Sequence, residues 1–254
     1  MNKSNNSIRN RVFTIIKSEL DDYRALLRNM PSVCLIFFVL SVVLMNLFAN
    51  KELISYKYLA LDCGFLLSWL SFLCMDMLTK RFGAKAAIKI SLFSVGVNFV
   101  ACFFFYIISL VPGNWGEFYS TNSNIANQAL DNTIGGSWYV LIGSMISFSV
   151  ASIVNALINV SVGKFLKQDN FITYAIRSYT STIVGQFIDN MLFALIVSHV
   201  LFGWTLTQCF ACSIIGAIAE LLSEVLFSPI GFKVCRRWEK QGVGQSYIEH
   251  YINN

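Results

Sequence analysis

Apolar residues in this chain gather into six long runs, near Val33–Ala49, Leu59–Thr79, Ile88–Val111, Ser137–Val162, Ile183–Phe202 and Leu206–Phe232. Short polar segments separate them. Each run can cross a hydrocarbon core of about 30 Å as a helix, which takes about 20 apolar residues. A membrane strand needs only about ten residues of alternating pattern, so run length predicts helices and not a barrel. The second run starts poorly, because Tyr56–Gly64 mixes Lys57 and Asp62 with apolar residues. That helix begins near Leu59, or as late as Phe65 after a short re-entrant or interfacial piece. The pattern predicts an all-α integral membrane protein with six transmembrane helices in residues 31–233, between a segment over 1–30 and a tail over 234–254.

Charge adds the orientation. Lys3, Arg9, Arg11, Lys17, Arg24 and Arg28 precede the first run. Lys80, Arg81, Lys85 and Lys89 follow the second; Lys164, Lys167 and Arg177 follow the fourth; Lys233, Arg236, Arg237 and Lys240 lie in the tail. The other three loops hold only Lys51 and Lys57, so the bias is 17 to 2. The positive-inside rule puts both termini in the cytoplasm. No cleavable signal is expected, since the first thirty residues are charged. The net charge of +5 then reports topology, with no nucleic-acid partner implied.

Composition excludes a soluble domain: 56% of residues are hydrophobic and 13% charged, about half the usual charged share. Ile8, Val12, Ile15, Ile16, Leu20, Tyr23 and Leu27 recur at helical spacing among basic residues. They predict an amphipathic helix, lying on the cytoplasmic leaflet or packed on the bundle. The Asn- and Gly-rich loop from Pro112 to Gly136 reads as a solvated connector, within which Asn124–Asp131 has the makings of a short helix. Cys209 and Cys212 form a C-x-x-C with neither a second pair nor a nearby His, so no metal site or cofactor is expected. His199, at the outer end of the fifth run, suits a capping or packing role.

Polar residues inside the runs carry the functional signal, because a carboxylate in mid-membrane costs about 2.5–3.5 kcal/mol and usually lines a cavity or pairs. Asp76, Asp189, Glu220 and Glu224 qualify. Asp76 lies one turn from Lys80, so a structural ion pair between them competes with a substrate role. Thr182, Gly185, Gln186, Asp189 and Asn190 fall on one helical face, and Ser147, Ala151, Asn155, Asn159 and Gly163 recur every four residues. Ser213, Gly216 or Ala217, Glu220, and Ser223 or Glu224 make a third stripe. The three stripes are expected to converge on a water-accessible cavity; a polar helix–helix seam is the alternative. No nucleophile–base pair or phosphate-cradling glycine loop is visible, so the chain does not read as an enzyme.

Two passages resemble the queuosine precursor transporter family, also called the vitamin uptake transporter family. One is Phe72-Leu-Cys-Met-Asp76-Met-Leu-Thr79-Lys-Arg81-Phe82-Gly83-Ala84; the other is Ser181-Thr182-x-x-Gly185-Gln186-x-x-Asp189-x-x-x-Phe193. Pro229 falls where a proline ends the last span in relatives. The chain departs from the pattern at Tyr139, where relatives carry Arg, roughly at Asn159, where they carry Asp, and near Ala219 or Glu220, where they carry Lys. The resemblance implies an importer of a small purine-like heterocycle, a 7-deazaguanine queuosine precursor, in the plasma membrane of a bacterium or archaeon. Asp189, Gln186, Asn190, Asp76, Asn155, Asn159 and Glu220 are the candidate substrate contacts, with Phe193, Trp69 or Tyr139 stacking on the ring. Partners are then a small-molecule substrate and the bilayer, with a homo-oligomer open. One alternative is the substrate-binding component of an energy-coupling-factor vitamin transporter. It usually carries Ala-x-x-x-Ala on its first helix, where Val33–Ala49 has only Ala49. A membrane-embedded enzyme is the other.

Overall fold

A computed structural model describes residues 2–116, 124–135, 138–166 and 168–251; the side chains of residues 2–12, Tyr139 and Tyr251 lie outside that description. The chain forms α1 (Asn2–Asn29), α2 (Ser32–Phe48), a hairpin of β1 (Glu52–Tyr56) and β2 (Leu59–Asp62), and α3 (Phe65–Ser109). There follow α4 (Asn124–Gly135), α5 (Trp138–Phe165), α6 (Phe171–Phe193), α7 (Leu206–Lys240) and α8 (Gln245–Tyr251). One wide π turn (Ala194–His199) and Val200–Phe202 prolong α6.

Four helical stretches are long and apolar enough to cross a membrane, and α1 with α2 would add a fifth across a 109° bend. The longest, α3, would measure roughly 68 Å if straight, twice the hydrocarbon thickness. It is not straight. Gly83 has φ 82° and ψ 167°, a conformation essentially reserved to glycine. Ser91 Oγ lies 3.3 Å from Met75 Sδ, although sixteen residues of helix would separate them by about 24 Å. The two arms of α3 (65–82 and 84–109) therefore fold back on each other about Gly83, and among the described residues the apolar helical rods number six. At 17 residues α2 is the shortest apolar rod.

The second rod begins at Phe65, because Leu59–Asp62 pairs with Glu52–Tyr56 as an antiparallel hairpin. Lys57 and Asp62 interrupted the apolar run there. The sixth rod outlasts its predicted end: Pro229 lies inside α7, which continues to Lys240. Proline removes the N–H that would bond the Val225 carbonyl, and the Ser228 hydroxyl donates to that carbonyl instead, at 3.2 Å. Asn124–Gly135 is a helix, so the loop over Pro112–Gly136 is more than a solvated connector; residues 117–123 and 136–137 are outside the described set.

Four of the basic segments meet at one end of the bundle. Lys80, in the last turn before Gly83, pairs with Asp169 of the α5–α6 connection, which also pairs with Arg236 of α7. Lys89 bonds Glu19 and Asp22 of α1, and Tyr247 of α8 donates to Asp22 at 2.9 Å. Burial alone would raise the Asp22 carboxyl, but the bonds from Lys89 and Tyr247 outweigh it and hold the group below its ordinary value. The two readings of α1 divide along its length. Leu26 is buried against the bundle, while Phe13, Ile15, Ile16 and Leu20 stay exposed. The side chains of Ile8 and Val12 lie outside the described residues. The hairpin occupies the opposite end, where Gln208 of α7 donates to the Lys57 carbonyl at 3.2 Å.

Candidate functional site in the polar core

The three stripes meet. Ser147, Ala151, Asn155 and Asn159 of α5 are buried, as are Thr182, Gly185 and Gln186 of α6 and Ser213, Ala217, Glu220 and Glu224 of α7. Glu224 takes the place on the α7 stripe that Ser223 also fitted by spacing. Gly185 allows the approach: a Cβ there would stand 2.9 Å from Phe72 Cε1 and 3.1 Å from Asn155 Cβ. Gly216 does the same on α7, where a Cβ would come 2.8 Å from Asn190 Nδ2. The helices approach one another closely at both glycines. A cleft of about 260 Å³ lies nearer the charged end, bounded by Lys80, Asp169, Thr173, Tyr174, Arg177 and Glu239.

Asp76 is the hub of the core. It is fully buried and accepts from Asn155 Nδ2 at 2.8 Å, Ser178 Oγ at 2.5 Å, Ser181 Oγ at 3.3 Å and Thr182 Oγ1 at 3.4 Å. Four donors from two helices reach one carboxyl, which ties the first arm of α3 to α5 and α6. The expected pair with Lys80 does not form, because Lys80 faces Asp169 and Glu239 at the charged end. Ser178 also bonds Glu224 Oε1. Asn159 Nδ2 donates to Ser181 Oγ at 3.3 Å, and its Oδ1 accepts from Arg177 at 2.8 Å. A continuous polar chain thus runs from Arg177 at the cleft to the Asp76–Glu224 pair.

A second group lies one turn away. Glu220 precedes Glu224 by four residues on α7, so the two carboxyls sit about 6 Å apart along the helix. Ser68 Oγ donates to Glu220 at 2.6 Å, and Asn190 Nδ2 approaches its other oxygen at 3.5 Å. Asp189, half-buried on α6, receives no hydrogen bond among the described residues. It feels the charges of Glu220 and of Asp62 at the end of β2. Burial pushes the Asp62 carboxyl up to about 6, against the Gly64 and Phe65 N–H bonds that lower it. Gln186, between the two groups, is fully buried with neither amide atom bonded.

The predicted contacts therefore divide. Asp76, Asn155 and Asn159 are engaged with protein partners, though Asn155 Oδ1 is left unpaired. Asp189 and Gln186 are not engaged, and Asn190 and Glu220 make one longer bond with each other. Phe193, half-buried, closes α6 one turn beyond Asp189, just before the π turn, a distortion frequent at functional sites. Trp69 is unavailable for a ligand ring on the face that Phe227 already covers, with centroids 4.1 Å apart and planes 12° apart. The side chain of Tyr139 lies outside the described residues. Sequence reasoning missed Ser68 and Ser178, whose spacing from Asp76 signals nothing until α3, α6 and α7 are packed. Arg177 counted as a loop residue, but α6 starts at Phe171 and carries it on its second turn. His199 Nδ1 meets the Trp204 carbonyl at 2.5 Å, a cap on the turn that ends this helix.

The chain is an all-α bundle of long apolar helices around a buried polar core, the form of a membrane protein. Residues 62–234 match the model of a protein family described as "Putative vitamin uptake transporter". The chain belongs to that family. No curated protein and no solved structure matches it.

Proposed function

We propose that this protein imports a small, flat, water-soluble heterocycle, and that the compound is a 7-deazaguanine precursor of queuosine. Membership of the vitamin uptake family supports transport; the Asp76 and Gly185–Asp189 motifs support the substrate. The observation that carries the reading is Asp189, half-buried, and Gln186, fully buried, two side chains with hydrogen-bonding capacity and no hydrogen-bond partner among the described residues. A carboxylate accepts two bonds from the amine and ring N–H of a guanine-like edge, and an amide both gives and accepts. Asn190 and Glu220 add polar atoms beside them, and Phe193 offers an apolar face for the ring. Native cores seldom leave such groups unpaired, so a polar ligand is the natural partner.

All six rods span the membrane in this proposal, with the charged end, α1 and α8 in the cytoplasm. The β1–β2 hairpin and α4 then face outside. The setting is the plasma membrane of a bacterium or archaeon. Cells lacking their own precursor importer provide the test, with deazaguanine bases and unrelated vitamins supplied in parallel. Rescue by a 7-deazaguanine base alone is the expected result. Rescue by a vitamin and by no base would overturn the substrate assignment.

A further inference from the structure

We propose that Asp76 and Glu224, bridged by Ser178, are a proton-binding site whose loading and release drive substrate import. The inference rests on the transporter reading of the same core and names its energy source.

Hydrogen counting carries the argument. Ser178 Oγ lies 2.5 Å from Asp76 Oδ2 and also bonds Glu224 Oε1. A hydroxyl owns one hydrogen and a carboxylate owns none, so with both groups ionised Ser178 could donate to only one of them and would turn a lone pair on the other, although Asn155, Ser181 and Thr182 also donate to Asp76. The geometry is satisfied when one carboxyl is protonated and donates to Ser178 Oγ while Ser178 donates to the other. The surroundings agree, because Asp76 and Glu224 are both fully buried. Two uncompensated charges at hydrogen-bond range of one atom would repel each other while losing their hydration.

Among the described residues no Lys or Arg forms an ion pair with either carboxyl, and Arg177 acts on Asp76 only through its charge. Its own segment of α3 carries Lys80, which is turned to Asp169 and Glu239. α5 presents only Asn155 and Asn159. α6 presents the Tyr174 hydroxyl, which is buried and unbonded, and Arg177, which bonds Asn159 through one nitrogen, keeps its Nε unbonded and acts on Asp76 through its charge without pairing with it. α7 adds Cys235 and Glu220, neither of them positive at neutral pH.

An independent observation points to a species that comes and goes. Glu224 Oε2 and Asn155 Oδ1 are buried at the pair without partners, and both amide atoms of Gln186 are unbonded one turn away on α6. Polar side chains continue from the pair toward both ends. Toward the cytoplasmic cleft, Asp76 continues through Ser181 and Asn159 to Arg177. In the other direction Glu224 is followed on α7 by Glu220, bonded to Ser68. A proton arriving from outside reaches Glu220, passes to the pair as the substrate occupies Asp189 and Gln186, and leaves to water from the cleft at Arg177, whose fixed positive charge favours the ionised carboxyl once the proton has gone.

Two measurements test this. In proteoliposomes given a labelled 7-deazaguanine base, an inward proton gradient of one pH unit supports about tenfold accumulation for one proton per substrate. Glu224→Gln is expected to abolish that accumulation while base still exchanges across the membrane. Wild-type exchange with no response to the gradient would overturn the proposal, as would a Glu224→Gln variant that still concentrates base. The second measurement needs no substrate: the infrared band of a protonated carboxyl in purified protein at neutral pH. The wild type should show it, and Glu224→Gln and Asp76→Asn should lose it. An unchanged band in both variants sinks the proton site. If no deazaguanine is exchanged at all, the substrate assignment fails, and the infrared result still decides this one.

Discussion

Asp189→Asn and Asp76→Asn replace the same group on two helices, and the structure predicts opposite consequences. Asp189 receives no hydrogen bond among the described residues, whereas Asp76 receives four. At Asp189 the amide keeps the shape but turns one acceptor into a donor, so an N–H faces a ligand N–H. Losing a charged hydrogen bond and stranding a donor costs about 2–4 kcal/mol of binding. That is a weakening of roughly thirty-fold to a thousand-fold. Folding should change by no more than about 0.5 kcal/mol, because no protein bond is lost. At Asp76 the same change leaves two of four donors facing an NH₂ group. The Asn155 amide can flip to present its unpaired oxygen and a serine hydroxyl can rotate, so the loss is about 1–3 kcal/mol, mostly in stability. The pairing with Lys80 that the spacing allowed would have made Asp76 the milder site, but Lys80 is elsewhere. Ligand affinity by calorimetry and melting temperature, on the same purified variants, separate the cases. An Asp189→Asn protein with wild-type affinity and a lowered melting temperature would refute the assignment.

Other consequences are independent of the ligand. Gly83→Ala should lower stability by about 1–3 kcal/mol, since φ 82° with ψ 167° excludes a Cβ; unchanged thermal unfolding would count against the α3 hairpin. Gly185→Val should cost about 1–3 kcal/mol or more by forcing Phe72 and Asn155 apart, visible as reduced folded protein on size exclusion. The docking of α1 through Asp22 should depend on pH. The folded carboxyl is held below its ordinary value of 3.8, so this contribution is complete above that value and is lost as pH falls through the lower folded one. Amide exchange over α1 that does not rise under those acidic conditions contradicts it. Reporter fusions in α4 and after α8 should give opposite signals, and matching signals would contradict the six-span arrangement.

Most of the architecture was written in run length and charge. The six apolar runs became six rods, and the basic segments lie together at one end, joined by Lys80, Asp169 and Arg236. What failed lay where polar residues broke a run or where one side chain compensated another. Asp62 and Lys57 turned the start of the second run into a hairpin, and Ser228 let α7 pass through Pro229. Periodicity found the stripes on α5, α6 and α7 because each recurs on its own helix. It could not find Ser178 or Ser68, nor assign Arg177 to Asn159, because those depend on which helices touch. The fully engaged state of Asp76 against the unengaged state of Asp189 is likewise a fact of packing, invisible in a single carboxylate's neighbours along the chain.

Direct uptake by the purified protein in liposomes tests the central claim. A labelled 7-deazaguanine base should enter saturably, be competed by the unlabelled base, fail to enter protein-free vesicles, and require roughly thirty-fold or more higher concentration with Asp189→Asn. Folded, correctly inserted protein that moves no such base, or that moves it equally well without the Asp189 carboxylate, would contradict the account.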